Sequence, residues 1–140
     1  MLLSLALLSA APAAVYAELL DLDDLSAAAD QVVLGEVSAV DSRRVPGGII
    51  TEVTVDVSET LLGDPAADLT LTLPGGRVGG ETMTVSGVPR LLVGHDLLLF
   101  LDDGQPVGFT QGILFTEGDQ ARLSHHAPPI PLEEVRRTVQ

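Results

Sequence analysis

The chain of 140 residues contains no cysteine, no lysine and no tryptophan. The missing cysteine excludes a disulfide framework and a lipid-attachment thiol. Aromatic side chains are scarce, three Phe and one Tyr, which argues against the stacking platforms that read bases or sugars. Positive charge is scarce as well. Seven arginines face 20 acidic residues for a formal net charge of −13, a balance that repels nucleic acid and anionic membrane surfaces and serves solubility. No nucleic-acid partner is expected.

The opening MLLSLALLSAAPAAVYA is apolar and ends in small residues. It has the length of a signal-peptide core with its cleavage region, and Pro12 and Glu18 cut it short of the roughly 20 apolar residues of a membrane-spanning helix. No Lys or Arg precedes the apolar run, which leaves the α-amine as the only positive charge there. Residues 1–17 are therefore expected to be a signal peptide cleaved between Ala17 and Glu18, followed by one domain over residues 18–140. That predicts a secreted or periplasmic protein with no membrane span once the leader is removed. The remaining chain is long enough to bury about two-thirds of its unfolded surface and needs no covalent staple.

Periodicity in the remainder is mostly that of strands. Residues Leu20 to Ala29 read as a short helix with Asp21 as N-cap, Asp23 and Asp24 at its positive end, and Leu20 stapled against Leu25. The three aspartates lack the glycine and distal glutamate of a calcium loop. Gln31 to Val40 is a strand whose first half is apolar on both faces, with Gly35 marking a bend or bulge. Ile50 to Thr60 alternates, with Thr51, Val53, Val55 and Val57 facing inward and Glu52, Thr54, Asp56 and Ser58 outward, long enough at roughly 30 Å to suit a barrel.

The stretch Leu71 to Leu101 reads as the centre of the domain. Leu71-Thr72-Leu73 and Thr82-Met83-Thr84-Val85 alternate and are expected to pair as a hairpin across the loop Pro74 to Gly80. That glycine-rich loop has neither the lysine nor the following helix of a phosphate cradle. Leu97 to Leu101 is a continuous apolar run, expected to be a strand covered on both faces. Asp102 to Gln105 and Glu117 to Gln120 read as hairpin turns. Val107, Phe109, Ile113 and Phe115 share one parity, with Gln111 among them as a polar group bonded to nearby backbone. Ala121 to Leu123 is a short strand, His125 to Pro129 a linker, and Pro131 to Arg137 a helix with acidic residues first and basic residues last. The fold class is accordingly mainly β: a single small antiparallel OB-like barrel or strongly curved sheet with a short helix at each end.

This pattern resembles the OB-like barrel of netrin-like and metalloproteinase-inhibitor (TIMP-like) domains. More closely, Ala29 to Val37, Leu61-Leu62-Gly63, Pro74 to Gly80, Gly87 to Arg90, Gly94 to Leu101 and Gly108 to Gly112 resemble small exported bacterial proteins of unassigned function. The resemblance covers nearly all of the mature chain, and its motifs are turns and strands rather than chemistry. The zinc-chelating amino-terminal cysteine of the inhibitors has no counterpart, because Glu18 would head the mature chain.

No catalytic, cofactor-binding or metal-ligating set emerges. Ser124-His125-His126 sets a nucleophile type beside a base type without an orienting acid, and His95, His125 and His126 fit no metal-ligand spacing. The expected function is a non-enzymatic, cofactor-free module that binds another exported protein, a peptidase or an envelope component. A small apolar-ligand carrier is the alternative, and an enzyme without a recognisable motif a weaker one. A binding module would use loops displayed on a rigid frame, here Pro74 to Gly80 and Gly87 to Arg90. Arg77, Val78 and Arg90 are the candidate interaction surface, the arginines because that residue type anchors interfaces.

Overall fold

The computed structural model describes residues 19–122 and 128–140. The expected leader, its expected cleavage point and Ser124-His125-His126 lie outside the described residues, as does most of the 125–129 segment expected to be a linker. Helix α1 (Leu22–Ala28) starts where the local sequence says it should. Asp21 accepts from the Asp24 N–H at 2.9 Å and the Asp24 carboxylate accepts from the Asp21 N–H at 3.1 Å, a reciprocal cap. Seven residues are too few to hold a helix in water alone; Leu22 and Leu25, both buried, dock it on the sheet, and Leu20 packs on the same cluster.

Strands β1 (Gln31–Val45) and β2 (Gly48–Leu62) form a long hairpin closed at Val45 and Gly48. Pro46 presets the first turn position and Gly47, at φ +95°, supplies the second. The pairing slips between Leu34 and Gly35 and again between Val37 and Ala39. A Cβ on Gly35 would stand 2.5 Å from the Asp56 carbonyl oxygen and 2.6 Å from Val55 Cγ1, so the bend expected there depends on glycine. Strand β3 (Asp68–Pro74) adds to β2, and β4 (Gly76–Val78) with β5 (Glu81–Met83) forms a separate two-stranded ribbon. Strand β6 (Asp96–Asp102) pairs with the first half of β1, and then with β7 (Gln105–Pro106) and β8 (Ile113–Glu117). Strands β9 (Gln120–Arg122) and β10 (Ile130–Pro131) complete the sheet, and α2 (Leu132–Val139) follows. The antiparallel order is β10-β9-β8-β6-β1-β2-β3. Among the described residues no helix is long and apolar enough to cross a membrane.

Two apolar clusters lie on opposite faces of this sheet. On one, Val32, Leu34, Leu98 and Phe100 meet Leu22 and Leu25 of α1 and Val135 and Val139 of α2. On the other, Val53, Val55, Leu71 and Leu73 pack with Leu97, Leu99 and Leu101. Two strands separate β3 from β6 in the sheet, yet both contribute to this one cluster and β3 comes close to β7, which pairs with β6, so the sheet curls over its own inner face. Strand β6 is thereby buried on both sides, as its uninterrupted apolar run requires. The hydrogen-bonded path does not close between β3 and β10 among the described residues.

Two expectations are corrected. Leu71 to Leu73 does not pair with Thr82 to Val85: β3 pairs with β2, and the hairpin is the shorter Gly76–Val78 with Glu81–Met83. Gly75 and Gly76, at φ +92° and +140°, turn the chain off the edge of the sheet before the second run begins. The shared parity of Val107, Phe109, Ile113 and Phe115 also fails, because residues 107–112 form a compact turn. Val107 lies in the helix-side cluster and Ile113 in the inner one. Gly112 lets the turn close: its N–H donates to the Val107 carbonyl at 2.8 Å, and a Cβ there would fall 2.3 Å from the Phe100 carbonyl oxygen. Gln111 Oε1 accepts from the Leu20 N–H at 2.7 Å, bonded to backbone as expected but from the far end of the chain.

Candidate functional site

The concave end of the curled sheet is partly covered by the β4–β5 ribbon and by residues 84–92. Local chemistry places the ribbon there. The Gly75 N–H donates to the Ile49 carbonyl at 2.7 Å, and Thr51 Oγ1 donates to the Gly75 carbonyl at 2.7 Å. Since the Thr51 proton is used in that bond, Ser42 is the donor in the 2.8 Å Ser42–Thr51 hydroxyl contact. Arg44 of β1 pairs with Glu81 of β5 at 2.7 Å, and its guanidinium holds the Glu81 carboxyl below the usual carboxylate range. Met83 closes the contact, its sulfur accepting from the Ile49 N–H at 3.3 Å.

The segment after the ribbon is held just as firmly. Thr110 Oγ1 donates to the Gly87 carbonyl at 2.6 Å. The Leu92 N–H donates to His95 Nδ1 at 2.9 Å while the His95 backbone N–H donates to the Leu92 carbonyl at 3.1 Å. The His95 ring stands edge-on to Phe115 with centroids 5.1 Å apart. The Val37 N–H donates to the His95 carbonyl and the Gly94 N–H to the Val37 carbonyl, each at 2.9 Å, which ties the turn to β1.

Between ribbon, segment and sheet lies a groove of about 440 Å³. Its floor and walls are apolar, built from Val40, Val53, Leu73, Met83, Val88 and Leu91. The Ser42 and Thr51 hydroxyls on its floor are already bonded to each other and to Gly75. Among the described residues that line it there is no carboxylate and no imidazole. What it offers is apolar burial and two guanidinium groups, Arg77 from β4 and Arg90 from the segment before Leu91.

Arg77 and Arg90, 13 positions apart in the chain, thus share one groove. Both are exposed, and neither forms an ion pair with another described residue, in contrast to Arg43 with Glu52, Arg44 with Glu81 and Arg136 with Glu59. Val78 does not line the groove; its carbonyl accepts from Arg44 at 3.4 Å. Leu92, 48 % exposed, lines the groove, and Val93, 65 % exposed, follows it. Phe109, 41 % exposed and at φ +69°, borders Gly87. Sequence reasoning gave none of these three a surface role and set Phe109 in a strand, although Leu92 and Val93 beside a glycine in a turn are a legible sign of apolar surface left uncovered. No protein-family model and no curated protein matches the chain.

Proposed function

We propose that this is an exported, non-enzymatic β module that binds another protein, an exported peptidase or an envelope component, through the groove between the β4–β5 ribbon and residues 84–92. The observation that carries this reading is the pair Arg77 and Arg90, unpaired with other described residues, beside an apolar floor in a chain of net charge −13. Arginine beside a desolvating apolar surface is the usual composition of an interface anchor. The frame around it is pinned by hydrogen bonds to β1 and β2, which lowers the ordering cost of binding. The resemblance to small exported proteins and the apolar leader support the location, and the same resemblance supports kinship with that group. The volume of the cavity favours a second reading, a carrier of a small apolar ligand.

The test expresses the whole gene in its host with a photo-crosslinking residue at Thr82, beside the groove, or at Thr72, on the exposed face of β3. The reading expects one exported protein to be crosslinked from Thr82 and not from Thr72, and a mature amino terminus at Glu18. A co-extracted small molecule with no crosslinked protein would establish the carrier reading instead. A full-length cytosolic product would overturn export.

A further inference from the structure

Resting on that reading, we infer that the groove takes an extended acidic and apolar segment of polypeptide, with carboxylates on Arg77 and Arg90 and an aliphatic side chain between them on the floor. Charge sets the first half of this identity. Three of the described arginines are neutralised by glutamates, while the two at the groove have no ion-pair partner among the described residues. A guanidinium presents a planar fork matched to a carboxylate, and the bond is strengthened where the neighbouring surface is apolar and excludes water.

The floor sets the second half. Because the Ser42 and Thr51 protons are spent on Thr51 Oγ1 and the Gly75 carbonyl, a carboxylate pushed onto the floor would find no hydroxyl donor from either and would lose its water. An aliphatic side chain loses nothing and buries its surface.

That the occupant is a polypeptide follows from the border of the groove. Among the described residues strand β5 pairs with β4 alone, and Thr82 to Thr84 line the cavity, so β5 offers an edge without a described strand partner beside the apolar floor. Extended segments bind such edges by main-chain hydrogen bonds and place alternate side chains in adjoining pockets. A fatty acid would use the floor and one arginine and leave both the edge and the second arginine idle.

The test uses fluorescence anisotropy of labelled peptides with the mature chain. The probe carries the core Asp-Leu-Val-Leu-Glu; one control replaces both acids by lysine, a second replaces the leucines by serine, and dodecanoate is added as competitor. The acidic and apolar probe should bind, about tenfold or more tighter than either control. Arg77→Ala with Arg90→Ala should weaken it by about tenfold, and raised salt should weaken it further. Both arginines are exposed and without an ion-pair partner among the described residues, so these variants should melt as the parent does. The charge reversal Arg77→Glu with Arg90→Glu should transfer preference to the lysine peptide. Equal binding of acidic and lysine probes, or binding untouched by either double variant, would overturn the inference. So would displacement by dodecanoate of a probe that has no preference for acids. If the probe fails while the Thr82 crosslink still captures an exported protein, partner binding stands and the acidic and apolar chemistry falls.

Discussion

Gly76 lies directly against Thr51: a Cβ on Gly76 would fall 2.3 Å from Thr51 Oγ1 and 2.5 Å from Ser42 Oγ. The bond from Thr51 to the Gly75 carbonyl depends on that closeness, and so does the seat of the ribbon that forms one wall of the groove. Gly76→Ala must therefore push the ribbon off β1 and β2, at φ +140°, a backbone value that an alanine rarely adopts. It should cost on the order of 1 to 3 kcal/mol and abolish groove binding. Gly79, at φ +60° with open space around it, is the control, and Gly79→Ala should cost only about 1 kcal/mol and leave binding intact. Thermal melts with probe titrations check both, and equal effects would contradict the role given to Gly76.

Val55 is fully buried on the inner face of the sheet, whereas Thr54 points to the other side and is half-buried. Val55→Asp places an unpaired carboxylate in the core at a cost of several kcal/mol, comparable to the whole stability. Thr54→Asp should be close to neutral. Circular dichroism melts of the two variants decide the matter, and matching melting temperatures would contradict the strand parity.

Glu59 of β2 and Arg136 of α2 form an ion pair that joins the last helix to the sheet. The hydrogen bonds from Arg136 hold the Glu59 pKa below its usual 4.5. A carboxyl whose folded pKa is depressed contributes stability that is present above its unfolded pKa and is lost as pH falls through the folded value. Both side chains are about 40 % exposed, so the contribution at neutral pH should be at most about 1 kcal/mol. The difference in melting temperature between the parent and Arg136→Gln should thus be small at pH 7 and vanish as the solution is taken well below pH 4.5. A difference that grows on acidification would contradict the pair.

How far the fold can be read from the chain varies with the range of the interaction. The α1 cap was legible because Asp21 and Asp24 satisfy each other within three residues. The alternation of β2 and the unbroken run of β6 report burial directly, on one face and on two. The Asp103-Gly104 turn, with both residues at positive φ, is equally local. Alternation states which way a side chain faces and not which strand lies beside it, so Leu71 to Leu73 and Thr82 to Val85 were matched wrongly. The 107–112 turn was hidden because its closure depends on Gly112 meeting the Phe100 carbonyl, a contact between separate strands. At the candidate site, the arginines were legible as unusual cations on an acidic chain. Their meeting at one groove was not, since it requires Gly75 and Gly76 to fold the ribbon back over β1 and β2.

The most direct measurement of the central claim is an amide correlation spectrum of isotopically labelled residues 18–140, titrated with the Asp-Leu-Val-Leu-Glu peptide. Binding at the groove predicts that shifts concentrate in Gly76 to Met83 and Val88 to Leu92 and leave α2 and β9 unmoved. Shifts centred on α2 or β9, or a spectrum that does not respond at all, would contradict it.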